Sequence, residues 1–172
     1  MPPLVIENLD ALKDFVGREL ATTGWFEVTQ ERISQFAEAT EDRQWIHLDA
    51  DRAQSESPYG VTIAHGFLTL SLISHFSKQA LQIQNGVGMI INYGLNRVRF
   101  AAPVPAGSKI RARFTLQSLK EIGNATEAVF AVAVEVQSHS KPACVAEWVI
   151  RLYPQQKMED GRPACSKPEG LS

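Results

Sequence analysis

Cysteine is scarce: Cys144 and Cys165 are the only two in 172 residues, and no pair is spaced C-x-x-C. That excludes a disulfide framework and gives no ground for structural zinc or dithiol exchange. Long apolar runs are missing too, none approaching the roughly 20 residues that cross a bilayer. The first ten residues, Met-Pro-Pro-Leu-Val-Ile-Glu-Asn-Leu-Asp, carry acids where a signal peptide needs basic residues and a continuous apolar stretch. Nor is there a surplus of charge. Seventeen Lys plus Arg against nineteen Asp plus Glu leave −2, which argues against general binding to nucleic acid or anionic membrane. What is present is ordinary for a globular chain: 44% hydrophobic, 21% charged and 8% aromatic residues. This length fits one compact domain that removes about two-thirds of its unfolded surface from water. The expectation is a reduced, cytoplasmic enzyme or binding protein of one domain over residues 1–153, with a disordered tail over 154–172.

Three regimes follow one another. From Leu4 to Ala39 the pattern is mixed. Leu9, Leu12, Phe15, Val16 and Leu20 recur at helical spacing, Gly24-Trp-Phe-Glu-Val is a short strand by pattern, and Thr29 is positioned to cap a helix. Thr40 to Gly60 lacks periodicity and is expected to be a long loop with at most a helical turn over Ala50–Gln54; such loops in compact domains are often functional. From Thr62 to Gln84, Ala64, Phe67, Leu68, Leu70, Leu72, Ile73 and Phe76 leave almost no polar face. That pattern predicts one helix buried all round, stopped at Asn85-Gly86. Four strands then follow: Met89–Phe100, one alternating through Ile110, Ala112, Phe114 and Leu116, one through Phe130 to Val136, and one from Cys144 to Leu152. Short turns between them mean antiparallel pairing. The fold class is therefore α+β, a long central helix wrapped by a curved antiparallel sheet.

Chemistry is concentrated in two segments. Thr40-Glu-Asp-Arg-Gln-Trp-Ile-His-Leu-Asp49 carries Asp42 and His47, a carboxylate and an imidazole able to hold one water and move protons to and from it. The plain alternative is a solvated loop with Asp42 or Asp49 in turns. His47-Leu-Asp49-Ala-Asp51 sets carboxylates beside a single imidazole, a poor metal set, and no metal is expected. At the start of the helix, Ala64-His65-Gly66 places backbone amides where they can bind an anion, and Gly66 has no side chain to block a ligand. The alternative there is packing alone. Ser71 would bond back to the helix carbonyls. Arg97 with Arg99, and Arg111 with Arg113, could meet phosphates or simply face solvent. His75 and His139 have no partners of chemical interest in the sequence.

Together, Asp42-Arg-Gln-Trp-Ile-His47-Leu-Asp49 and Ala64-His65-Gly66-Phe-Leu-Thr-Leu resemble the D-x-N-P-x-H-x-D and A-H-G segments of the MaoC-like dehydratases, the R-specific enoyl-CoA hydratases of hot-dog fold. Gln44-Trp45 replaces the usual Asn-Pro. That pair, Ile91-Asn-Tyr-Gly-Leu-Asn-Arg-Val-Arg-Phe100 and Lys141-Pro-Ala-Cys-Val-Ala-Glu147 are similar to the subgroup of the nodulation protein NodN and its mycobacterial hydratase relatives. The likeness runs from about Leu12 to Tyr153.

The resemblance implies that Asp42 and His47 are the catalytic pair for adding water across C2=C3 of a trans-2-enoyl-CoA. It also implies that Gly66, with His65, serves the thioester oxygen and that Ser71 bonds the catalytic loop. Arg97 and Arg99 would contact coenzyme A phosphates, and the helix and strand faces would line an acyl tunnel. No cofactor is implied, since coenzyme A belongs to the substrate. A homodimer is implied, for which an apolar edge over Val129–Val136 would be the covered strand. A hot-dog thioesterase and an idle acyl-CoA-binding protein are the competing readings.

Overall fold

A computed structural model describes residues 2–155. In chain order it contains β1 (Leu4–Ile6), α1 (Leu9–Lys13), β2 (Glu19–Thr22), β3 (Phe26–Glu27), α2 (Gln30–Thr40), α3 (Trp45–Leu48) and α4 (Ala50–Glu56). There follow α5 (Gly66–Ser71), α6 (Ile73–Ala80), β4 (Leu81–Ile83), β5 (Val87–Phe100), β6 (Lys109–Ile122), β7 (Ala125–Val136) and β8 (Cys144–Pro154). The alternating residues of β6, β7 and β8 are buried as their period predicts, from Ile110, Ala112, Phe114 and Leu116 through Phe130 and Val132 to Trp148, Ile150 and Leu152. A turn with Gly123 in the left-handed region joins β6 to β7. The large sheet runs β2-β6-β7-β8-β5, antiparallel throughout, with β3 also paired to β6. One face of this sheet packs on α5 and α6, the hot-dog arrangement. Phe76 of α6 is fully buried and meets Phe26 edge to face at 5.9 Å. Truncating such a ring costs about 3–5 kcal/mol.

The sheet order corrects one expectation. β7 is hydrogen-bonded on both sides, so Val129–Val136 is a central strand and its apolar character needs no outside cover. The apolar edge is β5, which among the described residues pairs only with β8. It leaves Met89, Ile90, Ile91, Tyr93 and Leu95 exposed, with Ile90 at 55% and Tyr93 at 52%.

The central helix is shorter than its hydrophobic pattern predicts and is interrupted. It opens at Gly66, not Thr62, slips at Leu72 and ends at Ala80. Next to the slip, Ser71 Oγ donates to the Phe67 carbonyl at 2.7 Å, the back-bond that loosens a helical turn. Nor is the helix buried all round, because Phe67 is 66% exposed toward the β5 side. After Ala80 the chain becomes extended, since Leu81–Ile83 finds a parallel partner in β1. Gly86, left-handed, turns β4 into β5 and caps no helix. The periodicity from Leu9 to Leu20 is likewise divided. α1 stops at Lys13, Gly17 turns the chain at φ 82, and Leu20 enters β2. The Thr40–Gly60 stretch is not a plain loop, holding both α3 and α4. At the other end, β8 takes in Pro154, and the Gln155 amide bonds to Gly86; the rest of the expected tail lies outside the described residues.

Candidate functional site

α2 begins where Thr29 accepts from the Arg32 amide and ends at Glu41, whose left-handed φ of 58° turns the chain outward. A non-glycine residue held there is local strain of the sort that persists at functional sites. Asp42 follows, with its side chain exposed. One short turn later, α3 carries His47 inward to 6% exposure. Gln30 braces this segment: its amide donates to the His47 carbonyl at 2.8 Å, and its own oxygen accepts from Thr62 Oγ1. Gln30 was not singled out in the sequence, where it is simply the first residue of a helix. Asp49 serves as the N-cap of α4, bonding the Arg52 amide, and Trp45 lies under the Arg52 guanidinium at 4.4 Å. Asp49 is thus structural, and Trp45 stacks on an arginine.

The structure brings Asp42, His47 and His65 together. One nitrogen of each ring and one Asp42 carboxylate oxygen all lie within 4.8 Å of one another. His47 Nδ1 is 2.7 Å from the Ile63 carbonyl, and His65 Nε2 is 2.9 Å from the Asp42 carbonyl. A carbonyl can only accept, so each of these nitrogens carries the proton and donates. His47 Nε2 is left as a bare acceptor. Burial holds the His47 imidazole below its ordinary 6.5. The bond to Ile63 and the charge of Asp42 oppose this, and nearby His65 reinforces it. A neutral imidazole with a lone pair, beside a carboxylate, is suited to orient and deprotonate water. The same three groups are a conceivable ligand set for a divalent ion. The two rings stack at 27° with centroids 3.7 Å apart.

A cleft of about 270 Å³ opens beside His47, which lines it with Tyr59, Gly66, Thr69 and Phe100 among others. Gly66 opens α5 in contact with the cleft, and a Cβ on it would lie 2.9 Å from the Phe100 ring. Tyr59 and Thr69 are site residues that the sequence reading did not single out: Tyr59 has no motif around it, and Thr69 stood unremarked inside the Ala64–Leu70 segment.

Other expectations fare differently. Ser71 bonds Phe67 and, among the described residues, makes no hydrogen bond to the Thr40–Asp49 segment. Arg97 and Arg99 are not brought to the cleft. They line a separate groove with Glu19, Arg113 and Glu147, across the sheet from α5. The apolar faces leave a second cavity of about 100 Å³ at the α6 end, lined by Leu20, Ile90, Phe114 and Trp148, and it shares no lining residue with the cleft. Cys144 is fully buried with its thiol pushed up to about 11, so it is no nucleophile. Among the described residues no helix is long and apolar enough to cross a membrane.

Residues 12–139 match the family model described as "MaoC like domain". A relative named 3-hydroxyacyl-thioester dehydratase Z, from Mycobacterium tuberculosis, is 45% identical over 146 residues, covering 84% of this chain and 95% of that protein. Nodulation protein N of Rhizobium meliloti is 41% identical over 143 residues, covering 83% and 89%. Among solved structures, the unliganded R-hydratase PhaJ1 from Pseudomonas aeruginosa superposes with a TM-score of 0.63 at 25% identity, over 91% of this chain and 92% of that one. With the carboxylate and imidazole in place and the sheet wrapped about its helix, this chain belongs to the MaoC-like dehydratase family.

Proposed function

We propose that the protein adds water reversibly across the C2=C3 bond of a trans-2-enoyl-CoA, giving the (R)-3-hydroxyacyl-CoA. The observation that carries this reading is the approach of the Asp42 carboxylate to within 4.8 Å of a neutral imidazole, His47, that lines the cleft Gly66 borders. Water held between Asp42 and His47 gives its proton to the pair, and its oxygen bonds C3. The C2=C3 electrons move toward the thioester, and C2 then takes a proton from the same pair on the same face. Base and acid are roles shared between Asp42 and His47 in this reading. Negative charge builds on the thioester oxygen during addition. The Gly66 amide has no partner inside its own helix turn and is available to that oxygen. One such donor is typically worth about 3 kcal/mol in the transition state. The chemistry uses only proton transfer and charge stabilisation, so the reading calls for no cofactor beyond the substrate's own coenzyme A.

The working unit in this reading is a cytoplasmic homodimer joined through β5. An edge strand with exposed Met89, Ile90, Ile91, Tyr93 and Leu95 is an open template for a second strand, and a second copy of β5 extends the sheet and covers this edge. Incubation with crotonyl-CoA and a thiol reagent tests the activity. Loss of the conjugated enoyl absorbance without thiol supports hydration. Thiol release would assign hydrolysis, and binding without consumption would assign a carrier role; either would end the hydratase reading.

A further inference from the structure

His65 touches both members of the pair without being one of them. Its ring is 2% exposed and lies between Phe36, at 5.0 Å, and His47, at 3.7 Å between centroids. Its Nε2–H donates to the main-chain carbonyl of Asp42 at 2.9 Å. Among the described residues, that is the only hydrogen bond residue 42 makes. Asp42 otherwise follows a left-handed residue on an exposed turn, with nothing else to fix where its carboxylate points. His47, by contrast, is held twice over, by Ile63 at its ring and by Gln30 at its carbonyl. The weak member of the pair is therefore Asp42, and its one tether is a side chain rooted at the base of α5.

We propose that His65 is a positioning residue that registers the Asp42 carboxylate against the His47 imidazole, by a hydrogen bond to the Asp42 main chain and by stacking on the His47 ring. This rests on the hydration reading, in which the relative placement of those two groups sets the rate. A misplacement of about 1 Å at such a pair costs on the order of a hundredfold in turnover. The residue that begins the central helix is thereby also the one that aligns the catalytic turn, so the helix and the acid–base pair are built as one unit. The role differs from binding the thioester oxygen, since His65 acts through its two neighbours, with its Nε2–H committed to the Asp42 carbonyl.

Two substitutions separate the bond from the stack. His65→Phe keeps a flat ring between Phe36 and His47 but has no donor for the Asp42 carbonyl. His65→Gln gives up the stack yet sets an amide N–H where Nε2 stood. With crotonyl-CoA as substrate, the Phe variant is expected to keep its fold and its KM within about twofold while kcat falls about a hundredfold. The Gln variant should recover at least a tenth of wild-type kcat. Amide hydrogen exchange over residues 41–44 supplies a readout free of turnover: it should accelerate in the Phe variant and stay near wild type in the Gln variant. A folded Phe variant with wild-type kcat and exchange would overturn the proposal, as would a Gln variant no better than Phe in both. A wild-type protein inert toward enoyl thioesters would strike the hydration reading alone, and the exchange comparison would still decide whether His65 tethers Asp42.

Discussion

Gly66 and Phe100 are in such close contact that a single methyl on Gly66 would enter the face of the Phe100 ring, at 2.9 Å from two of its carbons. The glycine is thus required by a neighbour on β5, quite apart from any ligand at its amide. Replacing a helical glycine with alanine ordinarily gains up to about 1 kcal/mol. Overpacking of this kind costs typically 1–3 kcal/mol. The clash should win, so Gly66→Ala is expected to lower stability by about 1 kcal/mol. In the Phe100→Ala background the same change should turn neutral or stabilising. A denaturation cycle over the four proteins measures the coupling; an additive result would mean that the ring swings away freely.

Asp42→Asn and His47→Gln should each reduce hydration of crotonyl-CoA by about a thousandfold or more, the range expected when acid–base work is removed. Asp42 is exposed and, among the described residues, is in no ion pair, so its variant should melt within a degree or two of wild type. Turnover measured alongside thermal melting checks both halves. Activity retained in either variant would remove that residue from the pair.

How much of this was legible in the sequence follows from physics at particular positions. β6, β7 and β8 were readable because a strand with one wet face must alternate, and Phe114, Val132 and Trp148 do. The order of strands was not, since alternation says nothing about neighbours; β7 is equally apolar whether it is covered by a partner molecule or, as here, by β6 and β8. Asp42 and His47 were visible only as a motif. Their meeting depends on the left-handed turn at Glu41, a conformation that Glu does not advertise. Gln30 was silent for the same reason, because its partners, the His47 carbonyl and Thr62, are far along the chain. Ser71 was read correctly from its local chemistry and misplaced by the family likeness.

Stability should depend on His47 in a defined direction. Burial holds its folded value below the 6.5 of an exposed imidazole. Between those two values the unfolded chain binds the proton and the folded chain does not. The contribution is therefore complete above 6.5 and is lost as the pH falls below it, until the folded value is reached. Melting temperature should drop on acidification from about 7.5 to about 5.5, with a shallower drop in His47→Gln. Superimposable slopes for the two proteins would show that the imidazole is not held neutral by the fold.

The β5 edge predicts assembly. Wild-type protein should sediment at twice the 19.0 kDa of one chain. A charge placed on the exposed edge, as in Ile91→Asp, should shift it toward monomer, because burying an unpaired carboxylate costs several kcal/mol. Ile91 is far from the cleft residues along the strand, so activity lost together with dimerisation would show that the cleft needs its neighbour. A monomeric wild type at micromolar concentration would rule out the β5 interface.

Chain length is set, on the same reading, by a polar bridge across the helix-facing side of β5. Trp148 Nε1 donates to Asn92 Oδ1 at 2.9 Å, and Asn92 Nδ2 donates to Ser74 Oγ at 3.0 Å. This crossbar joins β8, β5 and α6 between the His47 cleft and the apolar cavity that Trp148 and Ile90 line. From Gly66 to Ser74 the helix rises about 12 Å. An extended acyl chain that follows the helix from a thioester at Gly66 meets the bar at about that 12 Å depth. Wild type should therefore lose efficiency on longer enoyl thioesters. Asn92→Ala, which removes both bonds, should raise kcat/KM for twelve- to fourteen-carbon substrates about tenfold relative to crotonyl-CoA, the scale of a hydrophobic-pocket preference. Trp148→Phe should do so more weakly, keeping the ring but not the donor. An unchanged length profile in Asn92→Ala would mean that the acyl chain leaves the cleft by another route.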